Sequence, residues 1–142
     1  MTEKEKMGRG EWHDANFDEE LPAERARAEA LCHDLNTQRP GDAKQLDALR
    51  ALLGTDLPDG LTVLSPVYFD YGSRTSFGNG CFVNHGCYFM DGGSTTFGNN
   101  VFIGHSAASI QPPIPSGPRS ATGASRGPYP SSSVTTAGLA RT

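Results

Sequence analysis

Residues 75–108 contain one pattern twice. Thr75-Ser76-Phe77-Gly78-Asn79-Gly80-Cys81-Phe82-Val83-Asn84-His85 aligns with Thr95-Thr96-Phe97-Gly98-Asn99-Asn100-Val101-Phe102-Ile103-Gly104-His105, so Thr, Phe, Gly, Asn, Phe and His recur at an offset of 20 residues. A shorter beat of six runs inside it, through Phe77, Val83 and Phe89, then Phe97, Ile103 and Ser109. Six suits neither an amphipathic helix nor a long alternating strand. It suits a short strand and a turn repeated as the three sides of a triangular coil, with one inward side chain per side. Three sixes leave two residues over, and Gly92-Gly93-Ser94 is where they would bulge from a corner. Gly78-Asn79 and Gly98-Asn99 fall where the chain has to turn, and both residue types tolerate positive φ. The repeat predicts a parallel β-helix.

Before the repeat, residues 1–54 read as helical. Acidic residues and Pro22 mark a helix start, and Ala23 to Leu35 follows with Leu31 and Leu35 on one face. Asp42 is placed to cap a second helix with a stripe of Leu46, Leu49 and Leu53, and Gly54 suits the position just past its end. So short a pair has little core of its own, so its stripes are expected to cover the open first coil. Leu61 to Asp70 is strand-like. Beyond the repeat the composition changes: of residues 111–142, 20 of 32 are Pro, Gly, Ser or Thr, and the last acidic residue of the chain is Asp91. That composition predicts a disordered tail. The expected organisation is therefore α+β: a helical domain over 1–60, an incomplete parallel β-helix over 61–110 and an irregular tail over 111–142.

A net charge of −4 and a pI near 5.5 offer no basic face for nucleic acid. No apolar run reaches the roughly 18 residues of a membrane span, and the first residues lack a signal-peptide core. Cys32, Cys81 and Cys87 are odd in number and match no Cys-x-x-Cys pattern, so reduced thiols in a cytoplasm are expected.

The opening Met1-Thr2-Glu3-Lys4-Glu5-Lys6-Met7, Gly10-Glu11, Asp14-Ala15-Asn16 and Ala23-Glu24-Arg25 resemble the helical domain of the maltose and galactoside O-acetyltransferases. Pro66-Val67-Tyr68-Phe69-Asp70-Tyr71-Gly72, Phe82-Val83-Asn84, Met90-Asp91 and Phe102-Ile103-Gly104 continue the resemblance to about residue 106. It implies a left-handed β-helix of hexapeptide repeats and acetyl transfer from acetyl-CoA to a hydroxyl of a sugar such as maltose, glucose or a galactoside. It also implies a homotrimer whose sites lie between neighbouring β-helices, and no metal. Carried over by position, Asn84 and Asp91 line the sugar site, Arg25 is a substrate-side arginine, and Asp14 is an acidic position of the helical domain.

The family's general base is a histidine in a Thr-His-Pro context. At its spacing past Ile103 this chain reads Pro112-Pro113-Ile114-Pro115, and no histidine follows His105. No catalytic residue is therefore assigned, and the chain is expected to be inactive. The alternative is a non-catalytic β-helix stub that binds sugar weakly or associates with other coils. Codon choices exist for Gln111 to Pro115 that spell Ala-Thr-His-Pro in a shifted frame, so the tail is expected to be the family's own gene out of frame. His85 and His105, one repeat apart, raise the zinc chemistry of gamma carbonic anhydrases, but a catalytic zinc wants three protein ligands, and the coil has no third histidine. A thiol enzyme would pair its cysteine with a histidine partner, a pattern not found here.

Overall fold

The computed structural model describes residues 1–107 and the backbone of residues 139–141. Three helices come first, α1 (Glu3–Gly8), α2 (Glu20–Thr37) and α3 (Ala43–Leu53). A capping box joins Thr2 to Glu5 at the start of α1. The Asp18 carboxylate accepts from Glu20 N at 2.9 Å at the start of α2. The Asp42 side chain caps α3 by accepting from Lys44 N, and Gly54 closes it with φ 71° and an N–H donated to the Arg50 carbonyl. Residues 9–19 between α1 and α2 are turns and irregular chain, not the continuous helix that residues 1–54 suggested.

One expectation for α3 needs correction. Leu46 is 38% exposed. The buried face is Gln45, Ala48, Leu49, Leu52 and Leu53. Those positions fall within about 140° of arc at 100° per residue, and Leu46 lies just outside its edge.

The coil follows as seven short strands: β1 (Thr62–Val63), β2 (Val67–Phe69), β3 (Thr75–Ser76), β4 (Phe82–Val83), β5 (Cys87–Phe89), β6 (Thr95–Thr96) and β7 (Val101–Ile103). They form three sheets in which every pair is parallel and in register at the repeat length: Val63 with Val83 and Ile103, Phe69 with Phe89, and Thr75 with Thr95. β8 (Leu139–Arg141) adds antiparallel to β7. Apart from that strand, the expectation of an irregular tail lies outside the described residues.

The six-residue beat is the inner wall. Val83, Phe89 and Ile103 are fully buried, and Phe69, Phe77 and Phe97 nearly so. Phe69 stacks on Phe89 with centroids 4.6 Å apart, Phe77 stacks on Phe97 at 5.2 Å, and Phe89 meets Phe77 edge-on at 5.8 Å. Each buried aromatic side chain contributes about 1.5–3 kcal/mol of transfer free energy. Cys81 and Cys87 fill equivalent buried places as free thiols. At the corner of the Gly78-Asn79 and Gly98-Asn99 turns the left-handed backbone is instead at Gly60, Gly80 and Asn100 (φ 70°, 71° and 56°), and at the other two corners it is at Gly72, Gly86 and Ser106. Gly78 is required for another reason: a Cβ there would sit 2.5 Å from Asn99 Oδ1.

The helices close the open edge of the first coil, and a side chain completes the ladder. Asn36 of α2 donates from Nδ2 to the Val67 carbonyl at 2.9 Å and accepts Val67 N at Oδ1 at 3.0 Å, standing in for the strand a further coil would have supplied. Cys32, one helical turn earlier, accepts Phe69 N at its sulfur.

Candidate functional site

Tyr71 lies where the helical cap meets the first corner of the coil, and it is 2% exposed. Asp14 folds a turn around itself, taking Asn16 N at 3.0 Å on its carboxylate, while its own N–H goes to Glu3 Oε2 at 2.6 Å. The turn presents the Ala15 carbonyl and the Asn16 side chain to α2. Arg25 of α2 donates to both, and to the Tyr71 hydroxyl at 3.0 Å. On the far side of Tyr71, Asp91 accepts Tyr71 N at 2.8 Å and the Thr75 hydroxyl at 3.0 Å, with Gly72 N as a further donor.

Burial pushes the Asp91 carboxyl above the usual carboxylate range, although those hydrogen bonds favour its charged form. Burial also raises the Tyr71 phenol, and the neighbouring Arg25 guanidinium opposes it. Gly72 has φ 77°, and an added Cβ would sit 2.5 Å from the Leu52 carbonyl of α3, so only glycine lets the cap approach this closely.

Three of the four sequence-derived site residues, Asp14, Arg25 and Asp91, thus belong to one bonded group centred on Tyr71. Asn84 does not. It sits at another corner, where its N–H donates to the Ile103 carbonyl at 2.9 Å and its side-chain oxygen accepts His85 N. There Pro66, Asn84, His85, Gly86, His105 and Ser106 line an open groove of about 530 Å³. His85 Nδ1 is 2.5 Å from the Ser65 carbonyl, which can only accept, so Nδ1 is the donor of that bond. His85 and His105 are both exposed at this corner, and among the described residues no three metal-ligating side chains cluster.

Asp91 is completely buried, with both oxygens occupied by donors of its own chain. In the isolated chain it shapes the corner and presents no oxygen to solvent. The sequence reading did not single out Tyr71. Its only signal is the offset of 20 from Asp91, which stacks the two positions.

Residues 6–56 match the family described as the maltose acetyltransferase hexapeptide capping motif. A protein of Staphylococcus haemolyticus, assigned by inference as an acetyltransferase, is 47% identical over 88 residues, which are 61% of this chain and 45% of that protein. The chain spans about half the length of the curated relatives it matches. A hexapeptide-repeat acetyltransferase of Vibrio cholerae, solved with acetyl coenzyme A, superposes with a TM-score of 0.66 at 31% identity over 76% of this chain and 57% of that one. A maltose O-acetyltransferase of Clostridium difficile superposes with a TM-score of 0.61 at 29% identity over the same shares. No helix among the described residues is long and apolar enough to cross a membrane.

Proposed function

We propose, from the premise that this chain belongs to the maltose and galactoside O-acetyltransferase family of hexapeptide-repeat proteins, that residues 1–107 are the acceptor side of an acetyl-CoA-dependent sugar O-acetyltransferase. The observation that carries this reading is the Tyr71 corner, where one bonded group gathers Asp14, Arg25 and Asp91 from the cap and two coils. In this reading Arg25 supplies charged donors to the sugar's hydroxyls, and Asp14 builds the turn that orients it. Asp91 acts through Tyr71, whose backbone it pins. Asn84 belongs to another corner of the same coil. The reading therefore needs a neighbouring left-handed β-helix of a homotrimer to bring an Asn84 opposite the Arg25 group. The acceptor is a hydroxyl of maltose, glucose or a galactoside, and the protein works in the cytoplasm.

The donor in this reading is acetyl-CoA. Arg74 is the sole Lys or Arg in residues 61–107, so the phosphates of that donor find no basic cradle on the described coil, and no step is routed through it. Within the 142 residues no histidine follows His105. General-base catalysis is worth about 10²–10⁴-fold, and without it the chain is catalytically silent. A second reading, a non-catalytic association module, is favoured by Phe82 and Phe102, which stack at 5.1 Å on the outer face of the coil.

Free-thiol release from acetyl-CoA, with and without sugars, tests the first reading. The 142-residue chain should release none above background. A chain translated with the codon frame shifted between Gly104 and Gln111 should release thiol only when sugar is present. Turnover by the 142-residue chain overturns the silence, and sugar-independent turnover by the shifted chain overturns the acceptor class. Sedimentation of Phe82→Ser addresses the second reading, which fails if self-association is unchanged.

A further inference from the structure

Two guanidiniums meet at Tyr71. Arg25 reaches its hydroxyl from the cap, and Arg74 from the coil lies over the ring with Cζ 5.6 Å from the centroid. They come from separate elements, yet both sit close enough to the phenol to favour its ionised form. Among the described residues neither makes an ion pair, since the cations in such pairs are Lys4, Lys6 and Arg50. Arg25 has acceptors of its own in Ala15, Tyr71 and Asn16. Arg74 differs. Its Nε is shut off from solvent and has no hydrogen-bond partner among the described residues.

A charged N–H out of water with nothing to donate to is disfavoured, and such groups are rare enough to call for a reason. The nearby carboxylates do not supply one. Asp91 spends its oxygens on Tyr71 N, Gly72 N and the Thr75 hydroxyl, Asp70 takes the Tyr88 hydroxyl, and Asp14 takes Asn16 N. Arg74 is also the only Lys or Arg between Arg50 and Arg119. The lone cation of the coil therefore stands beside the proposed acceptor site with an unmet donor.

We propose that the Tyr71 corner is an anion subsite in which Arg74, together with Arg25, takes a carboxylate or phosphate group carried by the acceptor. A guanidinium offers its donors in a planar fork that fits two oxygens of either group at once. The inference rests on the acceptor-site reading above and narrows it: the acceptor is an acidic saccharide, a uronic acid or a sugar phosphate, in preference to a neutral disaccharide. The Tyr71 ring bounds the guanidinium on one side, with Arg74 Cζ 5.6 Å from its centroid.

The test uses the full chain, with glucose, glucuronate, glucose 6-phosphate and inorganic phosphate as probes. Affinities are read by titration, and the arginine Nε–H resonances by NMR. At low salt an acidic sugar should bind about tenfold or more tighter than glucose, as a charge-assisted hydrogen bond warrants. The largest resonance shift should fall on Arg74. Whichever of glucuronate and glucose 6-phosphate binds tighter identifies the anion. Arg74→Gln should bring the acidic-to-neutral ratio to about one, and Arg74→Lys, which keeps the charge and loses the fork, should retain part of it. A dispersed amide spectrum for each variant separates lost binding from lost folding.

Equal affinity for glucose and both acidic sugars overturns the inference and leaves the acceptor reading standing. So does a preference that survives Arg74→Gln. If inorganic phosphate binds as tightly as glucose 6-phosphate and glucose does not bind, the anion subsite stands and the sugar-acceptor reading falls. Loss of self-association in Arg74→Gln without any acidic preference assigns the guanidinium to a subunit contact, and overturns the inference.

Discussion

The Tyr71 corner and the His85 corner solve one problem in two environments. At each corner a side chain from the upper coil ties the coil beneath, and at two of them backbone bonds run beside it, from Gly86 N to the Pro66 carbonyl and from Asn100 N to the Asn79 carbonyl. Asp91 accepts the N–H of Tyr71, one repeat below it. His85 donates to the carbonyl of Ser65, also one repeat below. Asn99 does the same at the third corner, accepting Asn79 N at 2.8 Å. The first tie is sealed under the helical cap, and the other two face solvent. A hydrogen bond that water can replace contributes little net stability, whereas a buried donor stripped of its acceptor carries its whole desolvation cost. The lesson is that a repeated sequence repeats geometry without repeating energetics.

Four measurements bear on that contrast. Asp91→Ala leaves the donors of Tyr71, Gly72 and Thr75 without their acceptor, and should destabilise the chain by about 3 kcal/mol in urea unfolding. A loss under about 1 kcal/mol would erase the distinction between the corners. Asn99→Ala removes a tie of the same form at an exposed corner, with about 0.5–1 kcal/mol expected. His85→Ala should cost under about 0.5 kcal/mol, as substitutions at exposed positions generally do. An order of loss with His85 ahead of Asp91 would mean that burial does not govern these ties.

The fourth measurement is pH dependence. Burial raises the Asp91 carboxyl above its ordinary value of 3.8. The folded chain therefore holds that proton more tightly than the unfolded chain does. The stability linked to it is full below 3.8 and is lost as pH rises through the folded value. Asp91→Asn has no such proton, so the stability of the parent chain relative to Asp91→Asn should shrink as pH rises from about 4 to 7. Glu3, Glu5 and Asp18, whose hydrogen bonds to backbone or side-chain groups lower their values, act in the opposite direction. They are common to both proteins and cancel in the difference. A constant gap would mean that Asp91 titrates as an exposed carboxylate.

The offset of 20 and the beat of six were enough to turn Phe77, Val83, Phe89, Phe97 and Ile103 inward, because a coil with a set number of residues per turn must stack equivalent positions. Asp42 and Gly54 were legible as the ends of α3, because capping is decided within a few residues. The exposure of Leu46 was not, since 46, 49 and 53 also fit a helical stripe, and only the packed coil shows where that stripe is centred. Positive φ at Gly80 and Asn100 falls one residue past the expected turn in each copy. Gly78-Asn79 carries the same turn chemistry, and what singles out Gly78 is Asn99 one coil above it.

What the sequence determined by itself is therefore chiefly what is periodic: the repeat, the side chains it turns inward, and the two ends of α3. Tertiary structure alone decided which candidates share a site. Asp14, Arg25 and Asp91 lie up to 77 residues apart, yet meet because α2 docks on the first coil and the second coil stacks on Tyr71. Asn84, only seven residues before Asp91, is carried to another corner because the strand β5 between them is one side of the triangle. Sequence separation measures distance along the chain, and in a coiled stack proximity is set by the turn count and by what covers the open edge.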